Sequence, residues 1–391
     1  MSMKKSMVYG RRVQISGSAA FETDQKLTAY AHDLISKIVY TIMAEGGGLV
    51  LGAGKEPRPA SDSGIPPSIV FDWTALETAY NYTLDNEYIW PLSYGQPIVV
   101  VLSEKSEKEI PSERRELWNS LLSSNLMRVE YIFAGARSGA MLRERQAQHG
   151  DVLITFGGGT GVEHLADLYL IRKRPVIPFD LPLGSSRNDG TGGSPRLAQK
   201  LREKPERFIK LKNQFRGNEN ARTSTISTHG GRADARLIAS NLKELFRMLA
   251  RPYVFYTRLL NASHEKFQSV ESFFRDVVDP VIEEFGYDRI DMQVDDTEHA
   301  LINVAVFEDV HYASVVIADL TAERPNCYIE LGYALGNQTR VIATAEMGTN
   351  LPFDVAAVPC YFWESLQPLE QRRKSFTDWW RKNVDRPPII S

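Results

Sequence analysis

The chain has 391 residues, 43% of them apolar and 24% charged, with a formal net charge of -3. That length exceeds one typical core and predicts two or three domains with the make-up of an ordinary globular protein. The near-neutral balance argues against a nucleic-acid or anionic-membrane surface, and two cysteines, Cys327 and Cys360, exclude a disulfide framework and point to a reducing compartment. No Cys/His cluster has metal-site spacing, so neither metal nor resident cofactor is expected, and no apolar run is long enough to cross a bilayer. The opening MSMKKSMVYGRR is basic without an apolar stretch behind it, which predicts a cytoplasmic location.

In chain order, Val13 to Ile15 reads as a short strand breaking into a small-residue turn, Ser16-Gly17-Ser18-Ala19. Leu27 to Ala44 carries apolar residues at helical spacing and ends at Gly46-Gly47-Gly48. Leu49 to Leu51 is a second strand, closed by Gly52-Ala53-Gly54. Pro97 to Leu102 is a third, apolar enough to be buried on both faces, and Val129 to Ala134 a fourth. Asp151 to Phe156 empties into Gly157-Gly158-Gly159-Thr160-Gly161, a helix runs on from Val162, and Arg174 to Phe179 is the last strand of the set. Strands alternating with helices predict a doubly wound parallel sheet. Glycine or serine turns at three strand ends suit backbone contact with a phosphate, although tight βα turns need glycine for no further reason.

Gly184 to Pro195 is a glycine-rich loop, readable as a lid or as a linker, and Leu197 to Phe215 is a basic run read as a solvated helix face. Leu237 to Leu249 is an amphipathic helix that closes the first domain or meets a neighbouring subunit, so the predicted domains are 8–250 and 252–391. In the second, Tyr253 to Tyr256 is a strand feeding Thr257 and Arg258. Phe267 to Phe285 is a helix interrupted by Pro280, Ile290 to Val294 a strand ending in Asp295-Asp296, and Leu301 to Ala313 a helix. Ser314 to Ala318 is a buried strand ending on Asp319. Pro325 keeps Arg324 out of the helix that follows, and that helix carries Glu330. Val341 to Ala343 is the last clear strand, and the tryptophans of Ser375 to Lys382 are packing residues at a domain or subunit contact.

Ligands in open α/β sheets sit beyond the carboxyl ends of strands, so Asp319 and Glu330 are expected to face one crevice. Two carboxylates there supply what cleavage of a sugar–base bond needs, one holding ribose or capturing the anomeric carbon, the other positioning base or water. The same acids are equally at home as a helix-dipole partner and a turn cap. Arg258 is a candidate phosphate contact, or an ordinary salt-bridge residue.

The stretch ADLTAERPNCYIELGYALG, with VFEDVHYA before it and LPFDV after it, resembles the TIR-like (Toll/interleukin-receptor-like) and nucleoside 2-deoxyribosyltransferase-like domains. That resemblance implies that Glu330 is the catalytic carboxylate and Asp319 its partner, that Thr257, Arg258, Asn326, Phe353 and Asp354 surround the substrate, and that NAD or another nucleotide loses its base. ISGS, GGGLVLGAG and DVLITFGGGTGVEHLADL resemble the SLOG superfamily of Rossmann-like domains, related to phosphoribohydrolases whose late loop reads P-G-G-x-G-T-x-x-E. Here Phe156 replaces the proline and His164 falls where the last glutamate belongs, beside Glu163. This departure fits the members that sense nucleotide-derived ligands such as cyclic ADP-ribose in phage defence. Gly17, Ser18, Gly52, Gly54, Gly157, Gly158, Gly159, Thr160, Gly161 and Glu163 would then contact that ligand, and a homo-oligomer is implied. The expectation is therefore two Rossmann-like or flavodoxin-like α/β domains in tandem, a nucleotide sensor and an N-glycosidase. A nucleoside hydrolase or deoxyribosyltransferase, or a sensor without chemistry that acts by assembly, remain the alternatives.

Overall fold

The structure is a computed structural model that describes residues 6–60, 64–90, 95–133, 135, 138–186, 193–291, 302–352, 355 and 358–384. It is an α/β protein of two compact units, Met1–Ala250 and Arg251–Ser391. Each is built on one fully parallel sheet.

The first unit contains β1 (Arg12–Ser18), β2 (Gly48–Leu51), β3 (Ile98–Ser103), β4 (Met127–Ile132), β5 (Val152–Gly157) and β6 (Val176–Pro178), in the spatial order β4-β3-β2-β1-β5-β6. The central strands are buried on both faces, as their unbroken Val/Ile/Leu runs require. Chain order reverses between β1 and β5, the switch point at which such sheets open a crevice. The helix Gln25–Ala44 starts on Asp24, whose Oδ1 accepts from the Lys26 N–H at 3.0 Å, and packs against the helices Asp72–Asp85 and Ala235–Met248. Leu237 to Leu249 is thus part of an intramolecular helix layer. A second layer, Ser138–His149 and Thr160–Ile171, is pinned to β1 by a buried polar chain. Tyr169 Oη donates to Gln14 Oε1 at 2.8 Å, and Gln14 Nε2 donates to Gln146 Oε1 at 3.0 Å.

Several expectations change here. Ser16-Gly17-Ser18 is strand rather than turn, because Ser16, Gly17 and Ser18 pair in register with Thr155, Phe156 and Gly157 of β5. Gly17 makes this possible: its φ is 149°, and a Cβ there would stand 1.7 Å from the Phe156 carbonyl oxygen. The helix Asp72–Asp85 was not anticipated, and the basic run after Ser194 is two short helices, Ser194–Glu203 and Pro205–Phe208, split where Pro205 starts the second.

The second unit contains β7 (Tyr253–Thr257), β8 (Asp288–Asp291), β9 (Val315–Asp319), β10 (Arg340–Glu346) and β11 (Cys360–Trp363), ordered β11-β10-β9-β7-β8. This is the flavodoxin-type order, with its switch point between β7 and β9. β10 is not the last strand, since β11 adds to its outer edge in parallel. The expected break at Pro280 is taken up by a π-turn, Phe274–Val278, between Phe267–Phe273 and Asp279–Glu284, so the missing proline N–H is absorbed without ending the helix. Trp380 is buried against Phe285 and Tyr287 inside this unit, and the Phe273 ring stacks on Trp363 at 4.6 Å. Asp295 and Asp296 lie outside the described residues.

Two glycines make opposite predictions. Gly17→Ala should cost about 3 kcal/mol or more in urea unfolding, because backbone of β5 must move to admit one methyl. Gly332→Ala, on an exposed helical turn with nothing within 4 Å of the added carbon, should gain up to about 1 kcal/mol.

Candidate active site

Thr257 and Asp319 end the two strands that flank the second switch point, with Thr257 in register with Ala318. Asp319 is 3% exposed and fully engaged. Its Oδ1 accepts from the Thr321 N–H at 3.2 Å, and its Oδ2 accepts from Thr344 Oγ1 at 2.8 Å and from Trp363 Nε1 at 3.1 Å. Burial pushes this carboxyl up and the three donors oppose it. Asp319 therefore laces together the ends of β9, β10 and β11.

Glu330 is different. Arg324 sits just before its helix in extended backbone (φ -70°, ψ 127°), as a residue preceding proline prefers, and Pro325 opens the helix Pro325–Gly336. On that helix Cys327 and Glu330, three residues apart, are both buried. Glu330 is 5% exposed and its Oε2 has no hydrogen-bond partner. Thr257, at the end of β7, is 1% exposed and its Oγ1 has none either. Burial pushes the Glu330 carboxyl above its ordinary range, offset in part by the adjacent Thr257 hydroxyl and then by the Arg324 guanidinium. The two side chains are neighbours without closing a bond of ordinary length, which leaves an acceptor and a hydroxyl available to something else. The Cys327 thiol is pushed up to about 11 by burial, so it is protonated at neutral pH and is no nucleophile.

The other expected residues divide. The Arg258 guanidinium is held between Asp291 and Glu271 and lies over the Phe274 ring at 5.0 Å, so a phosphate there would have to displace a carboxylate. Asn326 is exposed at the start of its helix, and Phe353 and Asp354 lie outside the described residues. Arg324, near Glu330, was not singled out as a site residue. Its only signal was the proline after it. A cavity of about 440 Å³ lined by Leu351, Cys360, Phe362 and Trp379 borders β11, and its lining residues include neither Glu330 nor Thr257.

In the first unit, Gly17, Ser18, Gly157 and Gly158 meet at the β1/β5 switch point, with Gly159, Thr160 and Gly161 leading into the next helix. The loop is closed on itself. The Gly158 N–H donates to the carbonyls of Ser18 at 3.0 Å and Gly184 at 2.6 Å, and Ser18 Oγ accepts from the Ser186 N–H at 3.1 Å. Glu163 Oε1 accepts from the Gly193 N–H at 2.9 Å, while His164 Nδ1 accepts from Arg143 Nε at 2.9 Å. At the end of β2 the Gly52 N–H donates to Asp72 Oδ1 at 3.1 Å and the Gly54 carbonyl accepts from Trp73 Nε1. Burial lifts the Asp72 carboxyl to about 6.

Residues 8–249 match the family described as ATP nucleosidase Cap17-like, N-terminal. Over 180 residues the chain is 28% identical to the ATP nucleosidase Cap17 of Escherichia coli strain KTE188, and to a second Escherichia coli sequence of that name. That stretch covers 46% of this chain and 34% of each relative, so the chain spans about a third of the length of the curated relatives it matches. Among solved structures, the Clostridium botulinum CMP N-glycosidase BcmB aligns over 32% of this chain and 98% of its own, at 13% identity and a TM-score of 0.25. UDP-GlcNAc 2-epimerase from Neisseria meningitidis aligns over 96% and 94%, at 9% identity and a TM-score of 0.23. Neither score carries an argument about this fold. The family match takes in every strand of the first sheet and the helix Ala235–Met248, and through that unit the chain belongs to the Cap17-like ATP nucleosidase N-terminal family.

Proposed function

We propose that the chain is a nucleotide N-glycosidase effector in which Glu330 is the catalytic carboxylate. One observation carries the reading: a carboxylate withdrawn from water, with an oxygen that nothing satisfies, beside an equally unsatisfied Thr257 hydroxyl at a parallel-sheet switch point. Membership of a family named for ATP nucleosidases supports the same class of reaction.

In this mechanism the bond from C1′ of the ribose to the base nitrogen breaks, and its electron pair leaves with the base. The ionised Glu330 faces the positive charge that develops at C1′ and stabilises or captures it. Water then delivers hydroxide to C1′; its proton goes to a base that leaves as an anion, as adenine does from ATP, or to solvent when the base leaves neutral, as nicotinamide does from NAD, so the products are free base and the phosphorylated sugar. Thr257 orients a ribose hydroxyl, and Asp319 acts by holding three strand ends in place. ATP is the first substrate to test, given the name of the relatives, and NAD, implied by the TIR-like resemblance, the second. The first unit is read as the sensor, taking a nucleotide-derived ligand at its glycine loop, with homo-oligomeric assembly and phage defence as its setting.

Purified protein should release adenine from ATP or nicotinamide from NAD, with or without cyclic nucleotides as activators, and Glu330→Gln should lower kcat/KM about a thousandfold. Full turnover by that variant would sink the assignment. Because the carboxyl must be ionised and burial raises its pKa, the acid limb of kcat/KM should lie above the ordinary glutamate value of about 4.3.

Stability should move the other way. A carboxyl with a higher pKa folded than unfolded binds its proton more tightly in the folded state. Its contribution is therefore complete below the unfolded value and lost as pH rises through the folded one. Glu330→Gln should melt above the wild type at pH 8, and the difference should close as the pH falls to 4.

A further inference from the structure

We propose that Arg324 is the phosphate contact of the Glu330 site and makes it select nucleotides over nucleosides. The inference rests on the reading of Glu330 given above, and deepens it by naming the substrate class.

Three observations carry it. The Arg324 side chain crosses the switch point, from the loop after β9 to the loop after β7, where its Nη1 donates to the Arg258 carbonyl at 3.4 Å. That contact uses one of five guanidinium donors, and the side chain is only half-buried. Next, no carboxylate among the described residues pairs with it, in contrast to Arg258, whose two acidic partners consume its charge. Arg324, the residue just before the helix, nevertheless lies near enough for its charge to act on both Glu330 and Cys327. Finally, Glu330 Oε2 and Thr257 Oγ1 are buried polar atoms without partners in the same place, and a ribose hydroxyl satisfies both kinds of group.

The arrangement suits a nucleoside 5′-phosphate: sugar hydroxyls against Glu330 and Thr257, phosphate against Arg324 at the start of the helix Pro325–Gly336. Asn326 is exposed at that helix start, and the dipole of the first turn adds to the attraction for an anion. Arginine rather than lysine fits the role, because its planar fork meets two phosphate oxygens at once. A free nucleoside leaves this end of the site empty.

The test uses the full chain carrying Glu330→Gln to stop turnover, titrated by calorimetry with adenosine, AMP and ATP. AMP should bind at least about tenfold more tightly than adenosine, and adding Arg324→Ala should bring AMP to the adenosine value while leaving adenosine unchanged. Arg324→Lys should restore part of the difference. Melting curves that match between variants exclude a folding defect. Equal binding of AMP and adenosine, an equal loss of both in Arg324→Ala, or no binding of either would overturn the proposal. Persisting turnover in Glu330→Gln would instead remove Glu330 from the catalytic role, and Arg324 would then be judged by the ratio of KM for adenosine to KM for AMP in place of calorimetry.

Discussion

A carboxylate kept out of water, with one oxygen left without a hydrogen-bond partner, is the constraint around which the candidate site of the second unit is arranged. An unsatisfied buried polar group costs about 1 to 3 kcal/mol, more when it is charged, and a fold keeps such a group only where the surroundings over-determine it. Here they do. The parallel sheet reverses its order between β7 and β9, the proline-started helix leaves from that point, and the residues around Glu330 are themselves buried. The neighbouring acid takes the opposite course: Asp319 has three donors and spends them on rigidity. One carboxylate is fully satisfied, and the other keeps an oxygen without a partner.

The first unit has the same kind of reversal, between β1 and β5, and fills it differently. Its glycines bring backbone to backbone: Gly17 lies against the Phe156 carbonyl, and the Gly158 N–H is shared by the carbonyls of Ser18 and Gly184. Glu163 is tied to the Gly193 N–H. An anion entering this loop competes with bonds the loop already makes to itself. Under the sensor reading proposed above, binding at this loop would be coupled to a local rearrangement.

Much of this was legible in the residues. Ser314 to Ala318 could only be a buried strand, and Pro325 could only begin a helix, so the positions of Asp319 and Glu330 followed from local chemistry. The failures have physical causes. The helix Asp72–Asp85 begins on Phe71 with no side-chain cap and presents a weak apolar stripe. β11 is four residues of Cys and aromatics that become a strand only because β10 offers an edge. Arg258 and Arg324 look alike as charges in a sequence. What separates them is Asp291 and Glu271, brought by β8 and by the helix Phe267–Phe273 to the first and not to the second. Pairing across a fold is invisible to spacing along a chain.

The indole of Trp363 has a consequence for where the protein tolerates being cut. It belongs to the outermost strand of its sheet, yet its N–H ends on the acid that closes the central one. A shortened C-terminal unit that stops after β10 would keep Glu330 and its helix while leaving Asp319 a donor short in a dry interior, and Phe273 would lose the ring it stacks on. The smallest intact version of the Glu330 region therefore extends at least through Trp363.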